Sequence, residues 1–163
     1  MPEGRTQPLT SRVAIVTGSS SGIGRAIAGE LAARGMQVVV TSRSPERARE
    51  AAAAISASGG AVVGLASELT ERDAPAALVD RVVERFGRLD VLVNNAGAGQ
   101  VADSEMLSLA DWQRIIDIDL TAPFRCAQAA ARPMLAAGRG VIVNVSSLVG
   151  HVGLARRAAY GAA

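Results

Sequence analysis

The chain contains no lysine: all 17 of its basic residues are arginine, set against 15 Asp and Glu. The formal charge of +2 is small and spread along the chain, so it gives no argument for a nucleic-acid or anionic-membrane partner. The single cysteine, Cys126, excludes an internal disulfide and fits a reducing compartment. It falls in an Ala-rich helical stretch and reads as a buried structural residue. The one histidine, His151, cannot make a metal site by itself, and no metal is expected. No apolar run approaches the ~20 residues of a membrane-spanning helix. Residues 1–11 are polar, with two prolines and no apolar core, and read as a loose tail and not a signal peptide. Together these absences lead to the expectation of a soluble, cytoplasmic protein. Aromatics are scarce too: two Phe, one Trp and one Tyr. The core must be built from Val, Ile, Leu and Ala, as in buried parallel strands covered by Ala-rich helices.

What is present begins with an apolar run, Val13-Ala14-Ile15-Val16, then Thr17-Gly18-Ser19-Ser20-Ser21-Gly22-Ile23-Gly24, then a helical pattern from Arg25 to Arg34. A strand, a glycine-rich turn and a helix start in that order make a phosphate cradle. Glycine lets the backbone turn tightly and approach a pyrophosphate, and the helix N-terminus presents N–H groups and partial positive charge. The glycine spacing, G-x-x-x-G-x-G, is not the G-x-G-x-x-G dinucleotide fingerprint. With no Gly-Lys-Ser/Thr following, it is not a Walker loop either. An ordinary glycine-containing strand-to-helix turn is the alternative.

The rest of the chain repeats the strand–helix alternation. Gly35 follows the first helix and Gln37–Thr41 reads as a second strand. Ser44 caps a helix with Pro45 in its first turn, which ends before Gly59-Gly60. Ala61–Leu65 is a third strand. Thr70 is expected to cap a helix carrying Ala74, Ala77, Leu78, Val82 and Phe86, closed by Gly87. Leu89–Val93 is a fourth strand. A longer helix starts near Ser108, carries Trp112, Ile115, Ile116, Leu120 and Phe124, and closes at Gly138. Val141–Val145 is a fifth strand. This pattern predicts an α/β domain over residues 12–163: a doubly wound, Rossmann-type parallel sheet of five strands with helices on both faces. Ligands of such sheets bind beyond the carboxyl ends of the strands, at the switch point.

Those strand ends carry the polar candidates. After the second strand stands Ser42-Arg43, with Ser42 20 residues beyond Gly22, where an NAD reader needs an acidic residue for the ribose 2′-OH. An arginine there suits a 2′-phosphate, which a carboxylate would repel, and points to NADP; a solvated surface arginine is the bland reading. Ser67-Glu68-Leu69 follows the third strand, where an adenine ring can lie. Asn94-Asn95-Ala96-Gly97 follows the fourth, its amides suited to bonding neighbouring strands and its Ala-Gly leaving room for a ligand. Ser146-Ser147 follows the fifth, and Tyr160 stands thirteen residues beyond Ser147.

Thr17-Gly-x-x-x-Gly22-Ile23-Gly24, Asn94-Asn95-Ala96-Gly97 and the Ser147–Tyr160 spacing, in this order and strand context, resemble the short-chain dehydrogenase/reductase family from about residue 10 onward. The resemblance implies interconversion of a small-molecule carbonyl and alcohol by hydride transfer with NADP(H), with a 3-oxoacyl reductase as a family-level guess. It implies Tyr160 as acid/base bordering the cofactor, and Ser147 as donor to the substrate oxygen. Gly18, Ser20, Ser21, Gly22, Ile23 and Gly24 match the cofactor turn. Ser42 and Arg43 match the ribose-phosphate reader, Glu68 and Leu69 the adenine contact, and Asn95, Ala96 and Gly97 the support for the adenosine ribose. Members are commonly oligomers, and assembly stays open here.

Three departures stand out. Glu68 replaces the family's usual Asp, displacing the carboxylate by a methylene. Asp119 occupies the place of the family's catalytic Asn. In the family that position's main-chain carbonyl holds a relay water, so the resemblance implies that an Asp side chain is tolerated. Pro123, with no N–H, is expected to free the carbonyl of residue 119 from the helix ladder. Finally, the chain ends at Tyr160-Gly161-Ala162-Ala163, one residue before the Lys of the family's Tyr-x-x-x-Lys motif. The expectation is therefore an incomplete domain with an intact cradle and impaired turnover, or a non-catalytic NADP-binding module or non-functional fragment. The fifth strand would be an exposed edge.

Overall fold

The computed structural model describes residues 9–57 and 59–163; the expected tail lies outside them up to residue 8. Alternating strands and helices build one parallel sheet. The strands are β1 (Val13–Val16), β2 (Gln37–Ser42), β3 (Ala61–Ala66), β4 (Val91–Asn94) and β5 (Val141–Asn144). Their order in the sheet is β3-β2-β1-β4-β5, so the direction of winding reverses between β1 and β4. The doubly wound sheet expected from the sequence is present.

Side chains alternating along each strand divide the core in two. Val13, Ile15 and Val39 face one side and pack with Leu78, Val79 and Val82 of α3 (Ala74–Phe86) and Cys126, Ala129, Ala130 and Met134 of α5 (Ala122–Ala136). Ala14, Val16, Val38 and Val40 face the other and meet Ala28 and Ala32 of α1 (Gly22–Ala33) and Ala51 and Ile55 of α2 (Pro45–Ser56). Both faces of β1 are thus covered, and its four residues are at most 1% exposed. Burial pushes the Cys126 thiol up to about 11, which suits a packing residue and not a nucleophile. No helix among the described residues is long and apolar enough to cross a membrane.

Local chemistry sets most boundaries. Ser44 Oγ accepts the N–H of Arg47 at 3.2 Å, capping α2 as expected. Gly87, with φ of 72°, sends its N–H back to Val83 and ends α3. Thr70 does not cap α3. Pro75 belongs in a helix's first turn, so α3 begins at Ala74 after Asp73, and the Thr70 hydroxyl instead donates to Glu68 Oε1 at 2.9 Å. The expected long helix is α4 (Leu109–Ile116) running into α5 through a π-helical turn, Asp117–Thr121. There the N–H of Ala122 reaches back to the carbonyl of Asp117, just before Pro123, which lacks an N–H of its own. All four residues of β5 are exposed, including Val141 at 54% and Val143 at 43%. An open strand of this kind is a pairing hazard.

At the amino end of β4, the Asp90 carboxylate ties the sheet together. It accepts the N–H of Val13 at 2.9 Å and a two-point grip from Arg88, with Arg139 at 3.8 Å. Burial raises this carboxyl, but the Arg88 bonds, the Val13 N–H and the charges of Arg88 and Arg139 outweigh it and hold it below its ordinary value. Asp90→Ala should lower unfolding stability by about 2–3 kcal/mol in urea titrations at pH 7, since it strands both Arg88 and the Val13 N–H. A depressed carboxyl stabilises the fold fully above the unfolded value of about 4 and loses that contribution as pH falls further. The difference between wild type and Asp90→Ala should therefore shrink below about pH 4.

Candidate functional site

The carboxyl ends of β1 and β4 meet at the reversal of the sheet, and one hydroxyl joins them. Thr17, 1% exposed, accepts on Oγ1 the N–H groups of Asn95 at 2.9 Å and Ala96 at 3.0 Å. The Asn95 amide donates in return to the carbonyls of Thr17 at 2.9 Å and Gly18 at 3.2 Å. On the β2 side, Ser19 exchanges main-chain and side-chain bonds with Thr41, and Thr41 Oγ1 accepts the N–H of Gly18 at 3.2 Å. The turn is thus clamped from both flanking strands.

That clamping leaves no room for side chains. Gly18 has φ of +61°, and a Cβ there would lie 2.7 Å from Cα of Ala96. A Cβ on Gly24 would strike the Asn95 amide and come within 2.8 Å of the Gly18 carbonyl. The outer side of the turn is open: Ser21, Gly22 and Ile23 are exposed, Ile23 by 67%, an apolar side chain at the mouth of the cradle. Ser21 precedes α1 without capping it by its side chain, and no acidic residue stands in the first turn. The first-turn N–H groups of α1 are therefore available to an anion. The cradle fits a nucleotide pyrophosphate.

The remaining candidates flank this turn. Ser42 Oγ accepts the N–H of Ser44 at 3.3 Å, and the Arg43 side chain is 81% exposed, its Nε 3.9 Å from Glu68 Oε2. Glu68 Oε1 is occupied by Thr70, and Leu69, 5% exposed, turns into the core. Gly97 faces the Asp119 carboxylate, whose Oδ1 accepts the N–H of Ala98 at 2.7 Å. Oδ2 of Asp119 is buried without a protein partner. Burial pushes this carboxyl up, opposed only in part by the Ala98 N–H and the Arg114 charge. Beyond β5, Ser147 Oγ accepts the N–H of Val149 at 3.3 Å, opening a short 3-10 turn, Leu148–Gly150. Tyr160 lies on α6 (Ala158–Ala162), which packs on that turn and on α4. The Arg157 guanidinium lies 5.9 Å from the Tyr160 ring centroid.

The model of the short chain dehydrogenase family matches residues 12–163. The chain belongs to this family. It is 45% identical over 158 residues to cis-4-hydroxycyclohexanecarboxylate dehydrogenase of Sinomonas cyclohexanicum, covering 96% of this chain and 63% of the relative. It is 40% identical over 156 residues to a 3-oxoacyl-[acyl-carrier-protein] reductase of a Synechocystis strain, covering 95% and 63%. Among solved structures, a metagenomic short-chain oxidoreductase in complex with NADP superposes with a TM-score of 0.91 at 43% identity, over 96% of this chain and 71% of that one. The chain spans about 63% of the length of these two curated relatives.

Several residues that hold the site in this member of the family were not singled out from the sequence. Thr17, Ser19 and Thr41 are the buried hydroxyls that shape the cradle. Asn94, by contrast, bonds a neighbouring strand as its place in the motif led one to expect: its amide donates to Asn144 Oδ1 at 2.9 Å and to the carbonyl of Pro123 at 3.2 Å, linking β4 to β5 and α5. The one available signal was position: each hydroxyl stands at the carboxyl end of a strand.

Thr17→Val, nearly isosteric, removes the acceptor of two main-chain N–H groups. It should destabilise the fold by about 1–3 kcal/mol in denaturant titrations. Asp119→Asn keeps an acceptor for Ala98 and removes the ionisable carboxyl. A carboxyl raised on folding stabilises fully below its unfolded value and loses that contribution as pH rises through the folded one. Melting curves should therefore show Asp119→Asn more stable than wild type at pH 7, the gain vanishing near about pH 4.

Proposed function

We propose that this chain carries the nucleotide-binding and catalytic side chains of an NADP-dependent oxidoreductase that interconverts a carbonyl and an alcohol. The observation that carries the reading is the cradle: a left-handed Gly18 against Ala96, a Gly24 with no space for a Cβ, and an uncapped helix start open to solvent. When bound, the nicotinamide supplies or accepts the hydride.

The chain's own residues would do the rest. The first-turn N–H groups of α1, with Gly18, Ser20, Ser21, Gly22, Ile23 and Gly24 around them, hold the pyrophosphate. Asn95, Ala96 and Gly97 back the adenosine ribose, and Glu68 and the main chain of Leu69, whose side chain is committed to the core, border the adenine. Arg43 pairs with the 2′-phosphate, beside Ser42; its exposed side chain, held only at 3.9 Å from Glu68, is free to swing to a dianion. Ser147, which accepts from Val149, keeps its own proton to donate to the substrate oxygen, where charge develops. Tyr160 delivers the proton to that oxygen during reduction and removes it during oxidation. The main chain at Asp119, widened into a π-turn, would hold a relay water. The substrate is a small-molecule carbonyl or alcohol, with a 3-oxoacyl thioester supported by likeness to the Synechocystis reductase alone.

Fluorescence titration with NADPH and NADH tests the reading. NADPH should bind at least about tenfold more tightly than NADH, and Arg43→Gln should remove most of that margin, as the loss of a charge-assisted pair dictates. Equal affinities for the two would overturn the NADP assignment. Oxidation of NADPH with a panel of ketones, compared with Tyr160→Phe, then tests the catalytic assignment. Binding without turnover would favour the non-catalytic module.

A further inference from the structure

Tyr160 stands on a five-residue helix, too short to hold itself in isolation. Its buried anchor is the neighbouring Ala159, 0% exposed, which fixes the backbone and leaves the ring to be held by something else. Just before α6, Arg156 has φ of +65°, a left-handed conformation that costs a non-glycine residue about 1–2 kcal/mol. Such a conformation persists only where its surroundings over-determine it.

Those surroundings are the segment after β4. The Arg156 carbonyl accepts the N–H of Ala102 at 3.2 Å and the Gln100 side-chain amide at 3.5 Å, and its guanidinium pairs with Asp103 at 3.1 Å. Arg157 Nη1 donates to the carbonyl of Gln100 at 3.0 Å, and a Cβ on Gly99 would lie 3.2 Å from it. Gln100, 6% exposed, is the buried centre of this clasp. The same Arg157 guanidinium reaches the Tyr160 ring at 5.9 Å, within the range of a cation–π contact.

We propose that Arg157 is a positioning residue for Tyr160: one guanidinium bonds the β4 loop and lies over the ring, so the two sides of the site move as a unit. This rests on the reading of Tyr160 as the acid/base. Arginine suits the task because its planar fork can donate along its edge while a face or edge meets the ring. Both guanidiniums of the Arg156-Arg157 pair are thus engaged within the chain, Arg156 with Asp103 and Arg157 with the Gln100 carbonyl.

Tyr160 is the single tyrosine, so ring-13C-tyrosine labelling of the 163-residue chain yields NMR signals from it alone. In the unsubstituted chain the ring signals should be broad and displaced from those of free tyrosine. Arg157→Ala should narrow them toward free-tyrosine positions, and Arg157→Lys should restore part of the displacement. Where the chain turns over, Arg157→Ala should lower kcat about tenfold with KM for NADPH within about twofold, since a positioning loss falls on the chemical step. Ring signals unchanged in Arg157→Ala, with the far-ultraviolet circular dichroism intact, would overturn the proposal. Should Arg157→Ala not fold, Arg157→Gln, which retains a donor for the Gln100 carbonyl but not the cation, makes the same comparison. Tyr160→Phe separates the two ideas: wild-type turnover in that variant removes the acid/base reading, while the ring signals still decide the contact.

Discussion

The Thr17 hydroxyl governs the geometry of the whole site. A parallel sheet that reverses its winding leaves main-chain N–H and carbonyl groups unpaired where the two central strands part, and buried groups of that kind must find partners. Here Thr17 Oγ1 takes the N–H groups of Asn95 and Ala96, and the Asn95 amide closes on the carbonyls of residues 17 and 18. The turn after β1 is pulled so close to the loop after β4 that Gly18 and Gly24 can carry no Cβ. The glycines are therefore a consequence of this knot as much as a device for approaching phosphate. With its inner surface committed to β4, the turn presents only its outer N–H groups to a ligand.

How far the sequence could be read depended on the range of the forces involved. Strands and helices follow from local periodicity, and the two-sided core follows from Val13 and Ile15 facing one way and Ala14 and Val16 the other. The motif at 94–97 and the Ser147–Tyr160 spacing gave the family. Thr17 was passed over because its partners lie 78 and 79 residues away, and nothing beside it marks an acceptor. Nothing beside Arg157 marks its role for the same reason, its carbonyl partner being 57 residues distant. Thr70 is a different case. Pro75 was in view, and its preference for a first helical turn already disfavoured a cap five residues upstream.

Two aspartates show how the ends of one sheet divide its tasks. Asp90, at the amino end of β4, is surrounded by Arg88, Arg139 and the Val13 N–H, so burial is more than compensated and the carboxylate holds the fold. Asp119, by the carboxyl ends, has one N–H bond, and its other oxygen is buried without a protein partner. The other buried side-chain atoms without partners among the described residues, Asn94 Oδ1 and Gln100 Oε1, also belong to the end of β4 and the loop beyond it. Polar groups left unpaired raise the free energy of the fold, so they persist where some other requirement opposes their removal. In this sheet that requirement coincides with the cradle, the left-handed Arg156 and the contact between Arg157 and Tyr160. Among the described residues the amino end leaves no such buried side-chain atom unpaired, whereas the carboxyl end keeps three of them, the polarity that a site for water or a ligand requires.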